Sequence, residues 1–381
     1  MSRERVLVTG GAGFIGSHLV DRLVADGHTV RVFDSLDPEA HGEDATWPAY
    51  CNPGAEYVKG DVRDRYAFAK ALADVDVVFH YAAAVGSGIS MYQIRRYVDI
   101  NAMGTANLLE ILAEPGTTVR KVIVASSMTA MGEGTYRCAE HDLFYPRTRP
   151  PEQLARQDWE LHCPVCGRVA QPVAMVEDRP LLPTSIYGLT KKDQEEMVLM
   201  IGRARRMPVV AFRYFSAYGR RQSMSNPYTG VLARFATKVL SGRAPSVFED
   251  GRQLKDCVHV SDIVAVNMAA MAGDGGDYEM FNIGGGRPVS VHEIAKTICS
   301  LHGGGLEPEL TGQYRVSDAR HGWSDNTKAE TLLRWSPRMS FEAGVADLVT
   351  WLRDLPREQI EKSIDTFVRL ESEAESKGYA T

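Results

Sequence analysis

The chain has 381 residues, 44% of them hydrophobic and 24% charged, with 34 glycines and 6 cysteines. At about 150 residues per domain this is two or three domains with ample material for a core, which excludes collagen-like, disulfide-scaffold and largely disordered architectures. Lys plus Arg is 43 against 49 for Asp plus Glu, a formal charge of −6 that argues against bulk nucleic-acid binding but leaves room for a local cationic pocket.

The N-terminus, MSRERVLVTGGAG, runs straight into a strand-like segment, without the apolar core of an export signal. No stretch approaches the roughly 18 uncharged apolar residues of a membrane span. A cytoplasmic protein with no membrane partner is therefore expected, and the sparse cysteines suit a reducing compartment.

Residues 5–9, RVLVT, read as a short buried strand, and Ser17 to Ala25 as an amphipathic helix stopped by Gly27. VRVF at 30–33 is a second strand ending at Asp34; DVVFHYAA at 76–83 and VRKVIVASS at 119–127 are further strands. A helical pattern starts at Asn101 in NAMGTANLLEILAE. Strands separated by helices predict a mainly parallel sheet covered on both faces.

Between the first strand and its helix lies GGAGFIG, with Gly10, Gly13 and Gly16 at three-residue intervals. Gly10 suits a tight turn, Gly13 leaves room for a pyrophosphate, and Gly16 permits close packing of helix on strand. Unpaired N–H groups of the first helical turn, at Phe14, Ile15 and Gly16, would face the phosphates. Asp34 follows Gly16 by 18 residues, where its carboxylate can accept from the adenosine ribose and disfavour a 2′-phosphate. The pattern predicts a dinucleotide site with NAD favoured over NADP. Asp61 and Val62, in GDVRD, are placed to flank the adenine.

SIYGLTK sets Tyr187 and Lys191 four residues apart, on one face of a helix. A nearby ammonium is expected to favour the phenolate, making Tyr187 a base towards a sugar hydroxyl, with Ser127 donating or relaying a hydrogen bond.

With these residues in place, the sequence resembles the extended short-chain dehydrogenase/reductase family that acts on nucleotide sugars. The resemblance spans roughly residues 5–350 through TGGAGFIG, GDVRD, HYAA, ASSMTAMG, YGLTK, FRYFSAYG, KDCVHVSD and FNIGGG. It implies an α/β fold: a Rossmann-type doubly wound parallel sheet with a smaller C-terminal substrate domain. It also implies a homodimer through helices near the catalytic segment, and cofactor-pocket positions at Ala82, Ala83 and Asn101. Related 4,6-dehydratases carry an acidic pair after the catalytic serine or threonine, and decarboxylating members a glutamate. Here Met128, Thr129, Ala130 and Met131 follow Ser127, none of them able to serve as a carboxylic acid. The resemblance thus points to 4-epimerisation of a nucleoside diphosphate sugar through a transient 4-keto sugar. A dehydratase or an oxidoreductase on the same scaffold is the alternative, and a non-enzymatic scaffold a weaker one.

Further candidates lie in the C-terminal half. Ser216 in FRYFSAYG stands where the family usually has asparagine, and Lys255 where it commonly has a phosphate-binding arginine. Arg315 and Arg320 are expected to help neutralise a diphosphate, Thr129 to contact sugar hydroxyls, and Asn226 and Thr229 to approach the ligand.

Sixty residues separate Ser127 from Tyr187, a long gap that holds Cys138, His141, Cys163 and Cys166. Cys-x2-His and Cys-x2-Cys, with 21 residues between them, supply four ligands for a structural, tetrahedral zinc in a zinc-ribbon-like insertion. His162 is a competing nitrogen ligand; a redox CxxC or unrelated buried thiols are the alternatives. The insertion also brings the sequence near the branch acting on dTDP-linked 6-deoxyhexoses, which implies exchange of dTDP-L-rhamnose and dTDP-6-deoxy-L-talose. The expected organisation is a dinucleotide domain over 1–212, interrupted by the insertion at 133–182. A substrate domain with returning Rossmann elements follows over 213–352, and a charged tail over 353–381.

Overall fold

In the computed structural model, residues 3–42, 46–223, 230–316 and 318–376 are described. Seven strands form one parallel sheet: β1 (Arg5–Thr9), β2 (Thr29–Asp34), β3 (Glu56–Lys59), β4 (Val77–His80), β5 (Lys121–Ser127), β6 (Val209–Tyr214) and β7 (Glu279–Ile283). Their spatial order is β7-β6-β5-β4-β1-β2-β3. The doubly wound Rossmann sheet is therefore present. β1, β4, β5 and β6 are almost wholly buried runs of Val, Ile, Leu, Phe and Ala, as a sheet covered on both faces demands. Strand order reverses between β1 and β4, the kind of switch point outside whose carboxyl strand ends open α/β sheets bind ligands.

The expected boundary at residue 212 falls inside β6, and the sheet takes its last strand from beyond it. The helix Val260–Ala272 also belongs to this layer: its Ile263, Val266 and Met271 share a core cluster with Leu19 and Leu23 of the helix Phe14–Ala25. The C-terminal half is thus threaded through the Rossmann layer. Its own core gathers Tyr218, Phe235, Val239, Ile294, Ile298 and Leu348 beneath the helices Val231–Leu240, Val291–Leu301 and Phe341–Arg353. The charged tail is more than a surface helix. Arg357–Ser376 is helical, and its Ile360, Ile364 and Phe367 are buried.

The insertion has an antiparallel sheet with Thr135–Cys138 between Asp142–Phe144 and Gln171–Val173, and a small core of Tyr136, Leu161 and Ala170. Among the described residues no helix is long and apolar enough to cross a membrane.

Candidate active site

The glycine loop is built as its spacing predicts. Gly10 has φ +69°, and a Cβ there would lie 2.7 Å from the Ala82 nitrogen, so the loop passes directly against the end of β4. A Cβ on Gly16 would collide with the Gly10 carbonyl and the Gly11 Cα, so only glycine lets the helix start this close to the strand. That helix, Phe14–Ala25, has Gly13 as its N-cap with no side-chain cap, leaving its first N–H groups for an anion. Buried Asp34 accepts from the Ala12 N–H at 3.0 Å and the Leu36 N–H at 2.9 Å. It is therefore fixed at the end of β2 beside the loop.

Asp61 is held by Arg63, whose Nη2 lies 2.6 Å from Oδ2; burial opposes its ionisation, but the Arg63 hydrogen bonds prevail and keep its carboxyl below the usual range. Buried Val62 packs on Gly104, where a Cβ would come within 2.6 Å of it. Ala82 and Ala83 follow β4, with the Ala82 backbone directly against Gly10.

Asn101 does a different job from a direct ligand. Its side chain accepts from the Ala84 N–H (2.8 Å) and donates to the Ala84 carbonyl (3.1 Å) and to Thr190 Oγ1 (3.0 Å). It ties the loop after β4 to the catalytic helix, and it projects from a π-helical turn, Val98–Met103, where a regular helix was expected. His80, Thr9 and Thr105 extend this network: Thr9 Oγ1 meets His80 Nδ1 at 2.9 Å, and His80 Nε2 meets Thr105 Oγ1 at 3.1 Å. Burial holds the His80 imidazole neutral, at about 3, with Lys191 reinforcing the shift. Only HYAA hinted at this set; its partners are too far apart in sequence to find from spacing.

Tyr187 and Lys191 sit in the first turns of the helix Ile186–Arg205, capped by Ser185, and face the end of β5, which carries Ser127. Lys191 Nζ donates to the Ala125 carbonyl at 2.9 Å and lies 5.9 Å from the Tyr187 ring centre. Ser90 Oγ receives the Tyr187 N–H at 3.0 Å. Ser127 Oγ accepts from both the N–H (3.2 Å) and the hydroxyl (2.9 Å) of Thr129. Thr129 thus orients Ser127. Burial pushes the Tyr187 phenol up to about 12, opposed by its hydrogen bond to Ser127, and burial drops Lys191 to about 7. The expected lowering of the phenol by its lysine is therefore not seen here: desolvation dominates, and the Ser127 hydrogen bond is what opposes it. Arg213, on β6, grips Glu195 of the same helix at 2.9 Å and fixes the helix to the sheet.

Known proteins match this arrangement. Residues 6–151 and 163–284 fit the NAD dependent epimerase/dehydratase family. The chain belongs to that family. It is 32% identical over 351 residues to a dTDP-L-rhamnose 4-epimerase of Burkholderia thailandensis, covering 92% of this chain and 95% of the relative. It is also 32% identical to a UDP-glucose 4-epimerase of Mycolicibacterium smegmatis, covering 92% and 99%. The structure of a UDP-glucuronic acid 4-epimerase from Bacillus cereus, in complex with UDP-glucuronic acid and NAD, superposes with a TM-score of 0.75 at 26% identity, covering 92% and 100%.

Within this member of the epimerase/dehydratase family, the cations expected at a diphosphate do not share one fate. Arg320 is fully buried and wholly engaged: Nη1 meets Glu249 (2.9 Å) and Asp250 (2.6 Å), and Nη2 meets Glu160 (2.6 Å) and Asp250 (2.9 Å). Surrounded by three carboxylates it has no donor left for a phosphate, and the expectation is corrected to a structural brace. Lys255 Nζ donates to the Ala319 carbonyl at 2.7 Å. Arg315 lies 5.0 Å over the Phe248 ring and 3.9 Å from Asp318. Ser216 is half-buried in the strand Ser216–Tyr218, paired with Cys257. Met131 is fully buried, in a cluster with Met175 and Phe215. Asn226 and Thr229 lie outside the described residues. Ligand atoms of Cys138, His141, Cys163 and Cys166 all fall within 4.8 Å of one another, a set able to hold a metal.

Proposed function

We propose that this chain is a nucleotide-sugar 4-epimerase, an isomerase acting on a dTDP-linked 6-deoxyhexose and exchanging dTDP-L-rhamnose with dTDP-6-deoxy-L-talose. The observation that carries the reading is the convergence of Ser127, Tyr187 and Lys191 beside the glycine loop, followed by Met128–Met131 instead of carboxylates. NAD, which the loop and Asp34 fit, would accept a hydride from C4 and return it to the opposite face of the transient 4-keto sugar. Tyr187 takes the C4 hydroxyl proton and gives it back. Ser127, held by Thr129, is placed to stabilise the developing charge on the C4 oxygen. Protonation of Lys191 beside the phenol favours phenolate, and the Ala125 carbonyl holds the ammonium in place. The absence of a carboxylic acid next to Ser127 removes the group that water loss needs.

The dTDP assignment is supported by the Burkholderia relative's name, while relatives named for UDP-sugars match as well. Thr129, Ser216, Lys255 and Arg315 remain the proposed substrate contacts among the described residues; Asn226, proposed with them, lies outside those residues. A homodimer is part of the reading. Leu189 and Met200 lie 11 residues apart on one exposed face of the helix Ile186–Arg205, and Ile94, Val98 and Met103 are exposed on segments that pack against that helix. Unbridged cysteines suit the cytoplasm, where we place the enzyme. Incubating the purified protein with dTDP- and UDP-sugars and resolving the C4 epimers tests the proposal. An epimer without net NADH supports it; water loss or stoichiometric oxidation overturns it.

A further inference from the structure

We infer that Cys138, His141, Cys163 and Cys166 form a closed structural zinc site, and that the ion clamps the insertion onto the substrate half of the chain. Zinc–sulfur bonds of about 2.3 Å and zinc–nitrogen bonds of about 2.05 Å at tetrahedral angles require ligand separations of roughly 3.8 Å for S···S and 3.6 Å for S···N. The protein presents Cys138 Sγ···Cys166 Sγ at 3.6 Å, and His141 Nδ1 at 3.6 Å from both Cys138 Sγ and Cys163 Sγ. These are three of the six edges of a tetrahedron one zinc ion can fill, and all four ligand atoms lie within 4.8 Å of one another. The same 3.6 Å is far beyond the about 2.05 Å of a disulfide. Thiolate ligands select zinc over magnesium or calcium, and four protein ligands leave no position for substrate. Binding requires only that the thiols release their protons; nothing is oxidised.

The surrounding backbone is shaped for the same end. Gly167, at φ +73°, follows the second cysteine of CPVC, and its N–H donates to the Cys163 carbonyl at 2.9 Å, closing a knuckle. His162, the rival ligand, has both ring nitrogens engaged elsewhere: Nε2 meets Asp158 at 2.9 Å and Nδ1 the Gly167 carbonyl at 3.1 Å.

The clamp follows from what the knuckle carries. Glu160 lies three residues before Cys163, and its carboxylate reaches Arg320 at 2.6 Å and His321 at 3.1 Å. Arg149, also in the insertion, is buried and donates to Glu249 at 2.7 Å and to the Asp318 carbonyl at 3.0 Å. Glu133, at the insertion's start, accepts the Arg320 N–H at 2.9 Å. A metal joining the Cys138–His141 strand end to the CPVC knuckle thus fixes the two sides of the insertion that hold Arg320. The small Tyr136–Leu161–Ala170 core could not order so long a loop alone.

Metal analysis of the full-length chain, purified without a histidine tag, tests the site independently of the reaction. We expect about one zinc per chain, lost in a Cys163→Ser, Cys166→Ser double variant. Zinc at background in the wild type after reconstitution under reductant overturns the site, as does full zinc in the double variant. Should that variant not fold, mercurial titration of the native protein is expected to release zinc as the thiols react, and thiol modification without release overturns it. For the clamp, chelation is expected to speed hydrogen exchange at residues 318–322 as well as within the insertion. A change confined to the insertion refutes that part. A zinc-free protein that still epimerises, or a zinc-loaded one that does not, keeps this inference separate from the assignment of the reaction.

Discussion

Replacing Arg320 with methionine separates a brace from a phosphate ligand. The side chain is fully buried between Glu160, Glu249 and Asp250, and Glu249 is itself only 2% exposed. Methionine fills much of the volume but leaves three carboxylates with a single remaining guanidinium, Arg149, bound to Glu249. Breaking a buried pair by removing one partner costs about 3–5 kcal/mol. Here Glu160 and Asp250 are about a third exposed and regain water, so the lower end applies, about 3 kcal/mol. In a chain of 381 residues about 1.3 °C is lost per kcal/mol, and Tm should fall by about 4 °C. Arg320→Lys keeps the charge but not the planar fork and should fall in between. Scanning calorimetry gives Tm, and initial rates on the nucleotide sugar at a temperature where each variant is folded give KM. An unchanged Tm with a raised KM would show that Arg320 meets the diphosphate and would refute the reasoning.

Tyr187→Phe should lower kcat by about 10²- to 10⁴-fold, with NAD binding and Tm retained, because only the proton-transferring oxygen is removed; near-normal turnover would sink the base assignment. Gly16→Ala sets a Cβ against backbone atoms of Gly10 and Gly11 that cannot rotate away, so NAD affinity, read by nicotinamide-cofactor fluorescence or calorimetry, should collapse. Lys191 titrates at about 7 when folded and at about 10.5 when unfolded, so the cost of burying it charged is complete below pH 7 and disappears as pH rises towards 10.5. Wild-type stability relative to Lys191→Met should therefore climb by up to about 1.4 kcal/mol per pH unit across that window; parallel denaturation curves for the two would contradict it. Charging the exposed helix face with Leu189→Asp and Met200→Asp should shift the light-scattering mass from dimer to monomer, and a dimer that survives both changes places the interface elsewhere.

What the sequence made legible has a common physical character. Gly10, Gly13 and Gly16 could be placed because a tight turn, a pyrophosphate approach and a close helix start each constrain the backbone locally, and neighbours in sequence report it. Tyr187 and Lys191 were legible because four residues is one helical turn. Cys138, His141, Cys163 and Cys166 could be grouped because pairs spaced by two residues fit the bite of one ion. Arg320 was misread for the opposite reason. Nothing near it in sequence identifies Glu160 and Glu249 as its partners, 160 and 71 residues away. An arginine beside a substrate segment looks the same whether its guanidinium faces a diphosphate or three carboxylates. Asn101 teaches a related lesson, since its bonds to Ala84 and Thr190, 17 and 89 residues away, could not be foreseen from spacing. The chain's −6 charge follows the same logic: it limits what the surface as a whole attracts, but where each cation is used depends on which acids the fold brings to it. In this chain the insertion brings Glu160 to Arg320, where Glu249 and Asp250 also meet it, so the guanidinium is occupied by acids from two distant parts of the sequence.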